Sequence, residues 1–331
     1  MSSVSGTNQW AVSVVISARN EESNIQTVLK AICNQNYNTE KLEIILVDDG
    51  SSDNTYMTAK QFSERHTFIK VIKSDNKPYP GKKGALSLGI AEASNQYILI
   101  TDADCIPESE WVKSFTSRFS EGYDLLFGIA PFYQNDGFVN RIACFDELRG
   151  SLLSFGLANM GYPYSAAARS FGFTKPAYEK IGGYRNTTET LSGDDDLLIR
   201  EAVKNDLKIG TVTSVNSKVY SEAKTTLREY ILQKARHTST SNYYLFKHQV
   251  ILAIWHLVNL VFLFSPVISG LSKLFLIPFF LKLGVDWILV NKFQKRFGYT
   301  FGRIERIYLQ IIYELLLIVN YLLSFFRKNK W

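Results

Sequence analysis

Apolar residues in the first 130 positions fall in short blocks separated by polar stretches, and the spacing inside each block predicts its conformation. Ala11–Ser17, Leu42–Val47, Phe68–Ile72 and Tyr97–Ile100 are Val/Ile/Leu-rich runs of strand length, of the kind buried on both faces of a sheet. Between the first two, Ile25, Val28, Leu29 and Ile32 recur at helical spacing. A second helix is expected to run to about Glu64, and a third across Lys82–Ala93 after the proline-containing loop Ser74–Gly81. Strand–helix alternation of this kind predicts βαβ units and a parallel sheet.

Beyond Pro107 the pattern loosens. It predicts a strand at Asp124–Ala130, a helix over Asn140–Leu157, and a strand and turn at Phe171–Thr174 and Ile181–Tyr184. A helix opens at Ser192-Gly-Asp-Asp-Asp-Leu, with three acids at the positive end of its dipole. Val212–Val219 reads as a further strand and Thr225–His248 as a polar helix.

From Val250 the pattern changes again. Val250–Gly270 is almost free of charge, and at about 1.5 Å per residue it reaches roughly the 30 Å of a bilayer core. Leu274–Val290 carries only Lys282 and Asp286, four apart on one helix face and able to pair. A third run, Tyr308–Phe326, carries Glu314. The expected organisation is a soluble domain over 1–248, divided into halves at 11–130 and 131–248, followed by a membrane domain over 249–331. Its apolar helices fall at about 250–270, 274–290 and 308–326.

Charge sharpens this picture. The formal charge of +6 belongs to the tail, because residues 291–331 hold eight Lys/Arg and two acids while the rest is balanced. Basic residues beside apolar runs point to a membrane surface rather than to nucleic acid. Cys33, Cys105 and Cys144 are odd in number and lack metal-ligand spacing, so they read as free thiols in a reducing compartment. Met1–Trp10 is polar, and no signal peptide is expected.

Candidate chemistry sits at strand ends. Tyr97–Ile100 runs into Asp102-Ala-Asp104, whose carboxylates, two residues apart in an extended backbone, would face one volume. Hard oxygen ligands there suit Mg²⁺ or Mn²⁺ held together with substrate phosphates. Asp48-Asp49-Gly-Ser offers carboxylates and a tight turn for a base and ribose. Gly81-Lys82-Lys83-Gly84 places ammonium groups before a helix N-terminus, which favours phosphate. Gly193-Asp194-Asp195-Asp196 supplies a candidate general base.

Taken in order, Ala-Arg-Asn-Glu-Glu, Asp-Asp-Gly-Ser, Gly-Lys-x-x-Ala-Leu, Asp-Ala-Asp, Gly-Gly-Tyr, Gly-Asp-Asp-Asp-Leu and Gln-Lys-Ala-Arg-His resemble the motifs of membrane-bound family-2 glycosyltransferases across residues 11–237. The resemblance implies an α/β GT-A fold, Rossmann-like, that binds nucleotide-diphosphate sugars and is followed by transmembrane helices. It implies a divalent metal, Mg²⁺ or Mn²⁺, and an inverting hexosyltransferase of cell-surface polysaccharide or glycolipid synthesis. Donor contacts would come from Arg19, Asn20, Glu22, Asp48, Asp49, Gly81, Lys82 and Asp102. Asp104 would be the metal ligand, with Asp102 on the donor or on the metal through water. Asp194 resembles the catalytic base, and Gln233 and Arg236 resemble the segment that closes over the diphosphate.

Three departures from the family pattern matter. Gly193 stands where the family often has Glu, which leaves Asp195 as an alternative base; Ser87 replaces a frequent Asn; His237 replaces a Trp associated with the acceptor end of processive synthases. The competing readings are a processive polysaccharide synthase, a membrane-anchored nucleotide-sugar-binding protein without turnover, and a receiver-type domain holding Mg²⁺ at Asp48, Asp49 and Asp102. The expected acceptor is a lipid, a lipid-linked sugar or a glycan. The expected location is the cell membrane, multi-pass, with the catalytic domain in the cytoplasm. Lys292, Lys295, Arg296, Arg303 and Arg306 would keep the linker before the third run cytoplasmic.

Overall fold

The computed structural model describes residues 10–326. In chain order the elements are β1 (Val12–Ala18), α1 (Ile25–Cys33), β2 (Leu42–Asp48), α2 (Thr55–Ser63), β3 (Ile69–Lys73), α3 (Gly81–Glu92), β4 (Tyr97–Asp102) and β5 (Ile106–Pro107). Then come α4 (Trp111–Phe119), β6 (Leu125–Gly128), α5 (Phe138–Asn159), β7 (Phe171–Thr174), α6 (Lys175–Lys180), α7 (Asp196–Lys204), β8 (Ile209–Val212) and β9 (Val219–Tyr220). The last helices are α8 (Leu227–Ser239), α9 (Phe246–Phe264), α10 (Leu276–Phe293) and α11 (Glu305–Phe326).

The chain packs as two compact units interleaved in sequence: Met1–Ala130 with Ser165–Ser221, and Pro131–Tyr164 with Glu222–Trp331. These units differ from the boundary expected near residue 248. Helix α5 and the polar helix α8 group with the apolar helices, because their buried side chains meet there: Phe145 packs edge-on against Phe301 and Tyr313.

The first unit is built on a seven-stranded sheet of order β3-β2-β1-β4-β7-β6-β8, with β5 and β9 in a small antiparallel pair. Strands β3, β2, β1 and β4 are parallel, as the apolar runs predict. Strand β7 runs antiparallel to both neighbours, so the sheet is mixed rather than all parallel. The chain enters at β1, steps outward to β2 and β3, then returns to β4 on the other side of β1. That reversal opens a crevice at the carboxyl ends of β1 and β4. One face of the sheet buries Val14, Ile16, Ile44, Leu46 and Leu99 against α1 and α4.

Helix α3 crosses the other face at close range. A Cβ at Gly89 would lie 2.5 Å from Val15 Cγ1 and 2.9 Å from Val47 Cγ2, both on fully buried residues. Overpacking of such a core costs about 1–3 kcal/mol, against roughly 1 kcal/mol that alanine recovers in helix propensity. Gly89→Ala is therefore expected to lower the denaturation midpoint; an unchanged or raised midpoint would show that α3 can shift at no cost.

Two expectations are corrected. The strand expected over Val212–Val219 is two strands, β8 and β9, joined by a loop in which Asn216 takes a left-handed conformation (φ 59°) and Val215 is exposed. Ile181–Tyr184 is the expected turn: it follows α6 as a left-handed Gly182 and a 3-10 turn over Gly183–Thr187. The polar helix expected over Thr225–His248 stops at Ser239, and α9 begins at Phe246 after a 3-10 turn.

Among the described residues of the second unit, three helical segments are long and apolar enough to cross a membrane: Phe246–Ile268, Lys273–Phe293 and Glu305–Leu323. Their polarity is turned inward. Lys282 Nζ lies 2.7 Å from both Asp286 Oδ2 and Glu314 Oε1, and Asp286 Oδ1 accepts from Arg149 of α5 at 2.8 Å. All four residues are buried. Meanwhile Ile254, Leu257, Val261, Ile277, Phe280 and Ile288 are exposed. Buried charges and outward apolar side chains are the arrangement that a hydrocarbon solvent requires. The pairing expected between Lys282 and Asp286 is present, and Arg149 and Glu314 complete it. Met1–Gln9, in the polar stretch read for a signal peptide, and Arg327, Lys328 and Lys330, in the basic tail, lie outside the described residues.

Candidate active site

Strands β1, β2 and β4 end together, and their following loops meet. After β1, Asn20 adopts φ 57° and its side chain accepts from Ser52 N at 2.8 Å, while its own N–H donates to Ser51 Oγ at 3.0 Å. Glu22 Oε2 accepts from Asn54 N at 2.8 Å, and Glu22 N donates to Asp53 Oδ2 at 3.2 Å. Asn20 and Glu22 are thus engaged in lacing the β1 loop to the β2 loop, while Arg19 is exposed.

The acid of that motif which faces inward is Glu21. It is half-buried, and burial raises its carboxyl pKa, with Asp104, Asp102 and Asp53 adding to the rise although Asn24 works against it. Sequence reasoning had not singled out Glu21. Two adjacent glutamates gave the sequence no means of choosing between them; the left-handed Asn20 that precedes Glu21 is seen only in the fold.

After β2, Asp48 and Asp49 are both buried. Asp49 Oδ1 is paired with Lys77 and accepts from Ser74 Oγ at 2.8 Å. Asp48 Oδ2 accepts a long 3.4 Å bond from Ser51 N, and its Oδ1 has no hydrogen-bond partner in the protein. A buried carboxylate oxygen left unpaired is an acceptor waiting for a donor, such as a base or ribose group.

After β4 the chain turns sharply, with Cys105 N donating to Asp102 O at 3.2 Å. This turn, rather than strand alternation, brings the side chains of Asp102 and Asp104 together. One ligand atom from each, with Cys105 Sγ, lies within 4.8 Å of the others. Burial, with Asp102 and Asp104 close by, pushes the Cys105 thiol pKa well above its usual value, and Sγ donates to Asp104 Oδ1 at 3.2 Å. A protonated thiol is no ligand for a hard cation, so the available donor set is the two carboxylates. Two carboxylates on a turn, with Asp104 exposed, fit Mg²⁺ or Mn²⁺ that completes its shell with phosphate and water.

Lys82 and Lys83 open α3 after Gly81, whose φ of 67° favours glycine. Adjacent on a helix, they point about 100° apart. Lys83 is buried and donates to the carbonyls of Thr187 and Thr190, the latter at 2.9 Å, so it is a structural cation and not part of a phosphate cradle. Lys82 instead lies 2.6 Å from Asp102 Oδ1 and 2.6 Å from Asp194 Oδ2. Burial alone would lower its ammonium pKa; the two carboxylates outweigh that and hold it well above the ordinary value.

The Gly-Asp-Asp-Asp segment divides its acids. Helix α7 starts at Asp196, after the left-handed Gly193 (φ 73°). Asp195 caps the helix, its Oδ1 accepting from Asp196 N at 2.7 Å and its Oδ2 from Ala168 N at 2.6 Å. Asp196 Oδ1 accepts from Ser165 Oγ and Ala166 N at 2.8 and 3.2 Å. Both acids therefore tie the segment before β7 to the start of α7. Burial works to raise the Asp194 pKa, but Lys82 lowers it below the ordinary carboxylate range. Burial, with Asp196 and Asp194 beside it, raises that of Asp195. Tyr184, of the Gly-Gly-Tyr motif, is buried with its hydroxyl unpartnered, its pKa raised by burial and by the nearby Asp194. Gln233 and Arg236 lie on α8, in the second unit.

Known proteins are similar to this chain in sequence and in fold. Residues 13–171 match the family model described as Glycosyl transferase family 2. The chain is 36% identical over 128 residues to the glycosyltransferase AglE of Haloferax volcanii, covering 38% of this chain and 41% of that one. It is 31% identical over 204 residues to the probable glycosyltransferase YdaM of Bacillus subtilis, covering 57% of this chain and 46% of the relative. It thus spans less than half the length of either relative. Among solved structures, a Pyrobaculum calidifontis mannosyltransferase in complex with GDP-Man and Mn²⁺ superposes with a TM-score of 0.54 at 19% identity, covering 70% of this chain and 62% of that one. That likeness shows the fold, which is of the GT-A type. The chain carries, in residues 13–171, a glycosyl transferase family 2 domain.

Proposed function

We propose that this chain transfers a sugar from a nucleoside diphosphate sugar to a hydroxyl of a lipid, lipid-linked or glycan acceptor, with inversion at the anomeric carbon. One observation carries the reading: the Lys82 ammonium bridges Asp102, after β4, and Asp194, before α7, at 2.6 Å each. A cation held at the crevice between a candidate metal carboxylate and a candidate base suits a reaction that expels a diphosphate and deprotonates a hydroxyl.

Asp102 and Asp104 hold Mg²⁺ or Mn²⁺ in this scheme. The ion, when bound, supplies Lewis-acid stabilisation of charge on the departing diphosphate. Asp48, through its unpaired Oδ1, and Asp49 bind the nucleoside. Lys82 adds positive charge beside the diphosphate, where preorganised electrostatics contribute most. Asp194 Oδ accepts the acceptor hydroxyl proton as that oxygen attacks the anomeric carbon. Asp194 is favoured over Asp195 because both oxygens of Asp195 already accept backbone N–H bonds. Gln233 and Arg236 take the diphosphate contacts that the resemblance gives them.

A panel of nucleotide sugars incubated with the protein and Mg²⁺ or Mn²⁺ tests the reading. Metal-dependent release of a nucleoside diphosphate from one donor is expected. Tight donor binding with no release under any acceptor would instead favour the binding protein without turnover. Long polymer from a single acceptor would favour a processive synthase, which His237 in place of Trp argues against.

Membrane residence belongs to the same proposal, supported by the inward charges and outward apolar faces of α9, α10 and α11. The linker 294–304 is assigned to the cytoplasm, where nucleotide sugars are made, and α9 and α10 cross as a hairpin. Lys295 is exposed there, whereas Gly298 sits at φ 87° and suits a substituted cysteine poorly. Lys295→Cys, in a chain with Cys33, Cys105 and Cys144 replaced by alanine, is expected to resist an impermeant thiol reagent in intact cells and to react after lysis. Reaction in intact cells would overturn the orientation.

A further inference from the structure

The second unit contains a buried acid that the proposed chemistry does not use. Asp146, on α5, is 7% exposed and faces α8. Its Oδ2 accepts from the Tyr230 hydroxyl at 2.6 Å and lies 2.6 Å from Lys234 Nζ. Tyr230 is itself buried, at 1% exposure. Tyr230 and Lys234 are one turn apart on the same face of α8, so a single carboxylate grips that helix at two points. Gln233 lies between them in sequence, and Arg236 follows two residues after Lys234. At 3.6 residues per turn Gln233 and Arg236 sit about 60° apart, roughly 80° and 140° round the helix from the middle of the gripped face. Rotation of α8 about its axis would therefore carry both away together.

The other degrees of freedom of α8 are also restrained. Its N-terminus is a capping box, with Thr226 Oγ1 accepting from Glu229 N at 3.2 Å and donating to Glu229 Oε2 at 2.9 Å. One turn along α5 from Asp146, Arg149 is paired at 2.8 Å with Asp286 of α10, which shares Lys282 with Glu314 of α11. The helix that carries Asp146 is thus anchored to the apolar bundle one turn away, through the charge-assisted bonds of Arg149.

We infer that Asp146 is a positioning residue for Gln233 and Arg236, fixing the rotation of α8 through Tyr230 and Lys234. This inference rests on the transferase reading for its effect on turnover, because it acts through residues given diphosphate contacts there. Tyr230→Phe removes one hydroxyl from the grip and keeps the ring that fills the core. Misplacement of a contact far from the bond-breaking centre can cost up to about a hundredfold. Loss of half the grip is therefore expected to lower kcat for nucleoside diphosphate release by about tenfold, with donor KM changing much less.

The test is a double-mutant cycle on full-length protein in lipid nanodiscs, joined to a measurement that needs no activity. Tyr230→Phe is expected to lose most of its effect on kcat in an Arg236→Ala background, since only Gln233 remains for it to position. Asp146→Asn, which keeps an acceptor oxygen, is expected to restore more turnover than Asp146→Leu. A spin label at Leu232→Cys, in the cysteine-free background, is expected to become more mobile when Tyr230→Phe is added. A purely structural role for Asp146 would lower thermal stability while leaving kcat per folded molecule unchanged, or would give the same fold-loss with and without Arg236. Either of those results overturns the inference, as does unchanged label mobility. If the wild-type chain releases no diphosphate from any donor, the transferase reading fails, and label mobility alone decides whether Asp146 fixes α8.

Discussion

Asp194→Asn is expected to retain donor binding while losing turnover by about 10²–10⁴-fold, the usual contribution of a positioned general base. The amide is nearly the same size, so the start of α7 is preserved; what disappears is the proton acceptor and the counter-charge to Lys82. The informative comparison is Asp195→Asn. Asp195 caps α7 with one oxygen and holds Ala168 N with the other, and an amide keeps only one acceptor, so one partly buried N–H loses its partner at a cost of about 1–3 kcal/mol. That variant is expected to lower the unfolding midpoint and to keep most of its turnover per folded molecule. Steady-state kinetics together with thermal unfolding of both variants separates the roles. If Asp195→Asn is the dead protein and Asp194→Asn turns over normally, the base is one residue along.

Asp104→Asn is expected to abolish metal-dependent release while leaving the fold intact. The side chain is exposed, so the substitution disturbs no packing, and the Cys105 thiol can still reach an acceptor oxygen on the amide. The charge on the two-carboxylate donor set falls by half, which weakens Mg²⁺ or Mn²⁺ at a site built on carboxylates. Titration of Mn²⁺ into the protein by electron paramagnetic resonance, with nucleoside diphosphate present, reads affinity directly and without turnover. A wild-type Mn²⁺ affinity in Asp104→Asn, or full activity at saturating metal, would remove this residue from the metal site.

The four parallel strands and their connecting helices were legible in the sequence because burial on a sheet or a helix face imposes a local period. Ile25, Val28, Leu29 and Ile32 repeat with the turn of α1, and Leu42–Val47 is apolar apart from Glu43 because both faces of β2 are covered. The expected strand at Val212–Val219 failed for the complementary reason. Val212, Val215 and Val219 are β-branched but stand three and four residues apart, without the alternation of a strand, and the left-handed Asn216 and the exposure of Val215 show a loop.

The places of the candidate site residues were also written in the chain, since parallel strands must all end at one edge and β1, β2 and β4 each run into a charged loop. Which side chain at each place faces the crevice was a tertiary matter. Lys82 and Lys83 are chemically identical neighbours; the helix separates them by about 100°, so one bridges Asp102 and Asp194 while the other is buried against the carbonyls of Thr187 and Thr190. Asp194, Asp195 and Asp196 likewise differ only in the partners that the segment 165–168 and Lys82 bring to them. Periodicity records how far a residue lies from water, and that is a local property of the chain. A hydrogen-bond or ion-pair partner is supplied by an element distant in sequence, as Asp286 and Tyr230 are for α5, and only the folded topology decides it.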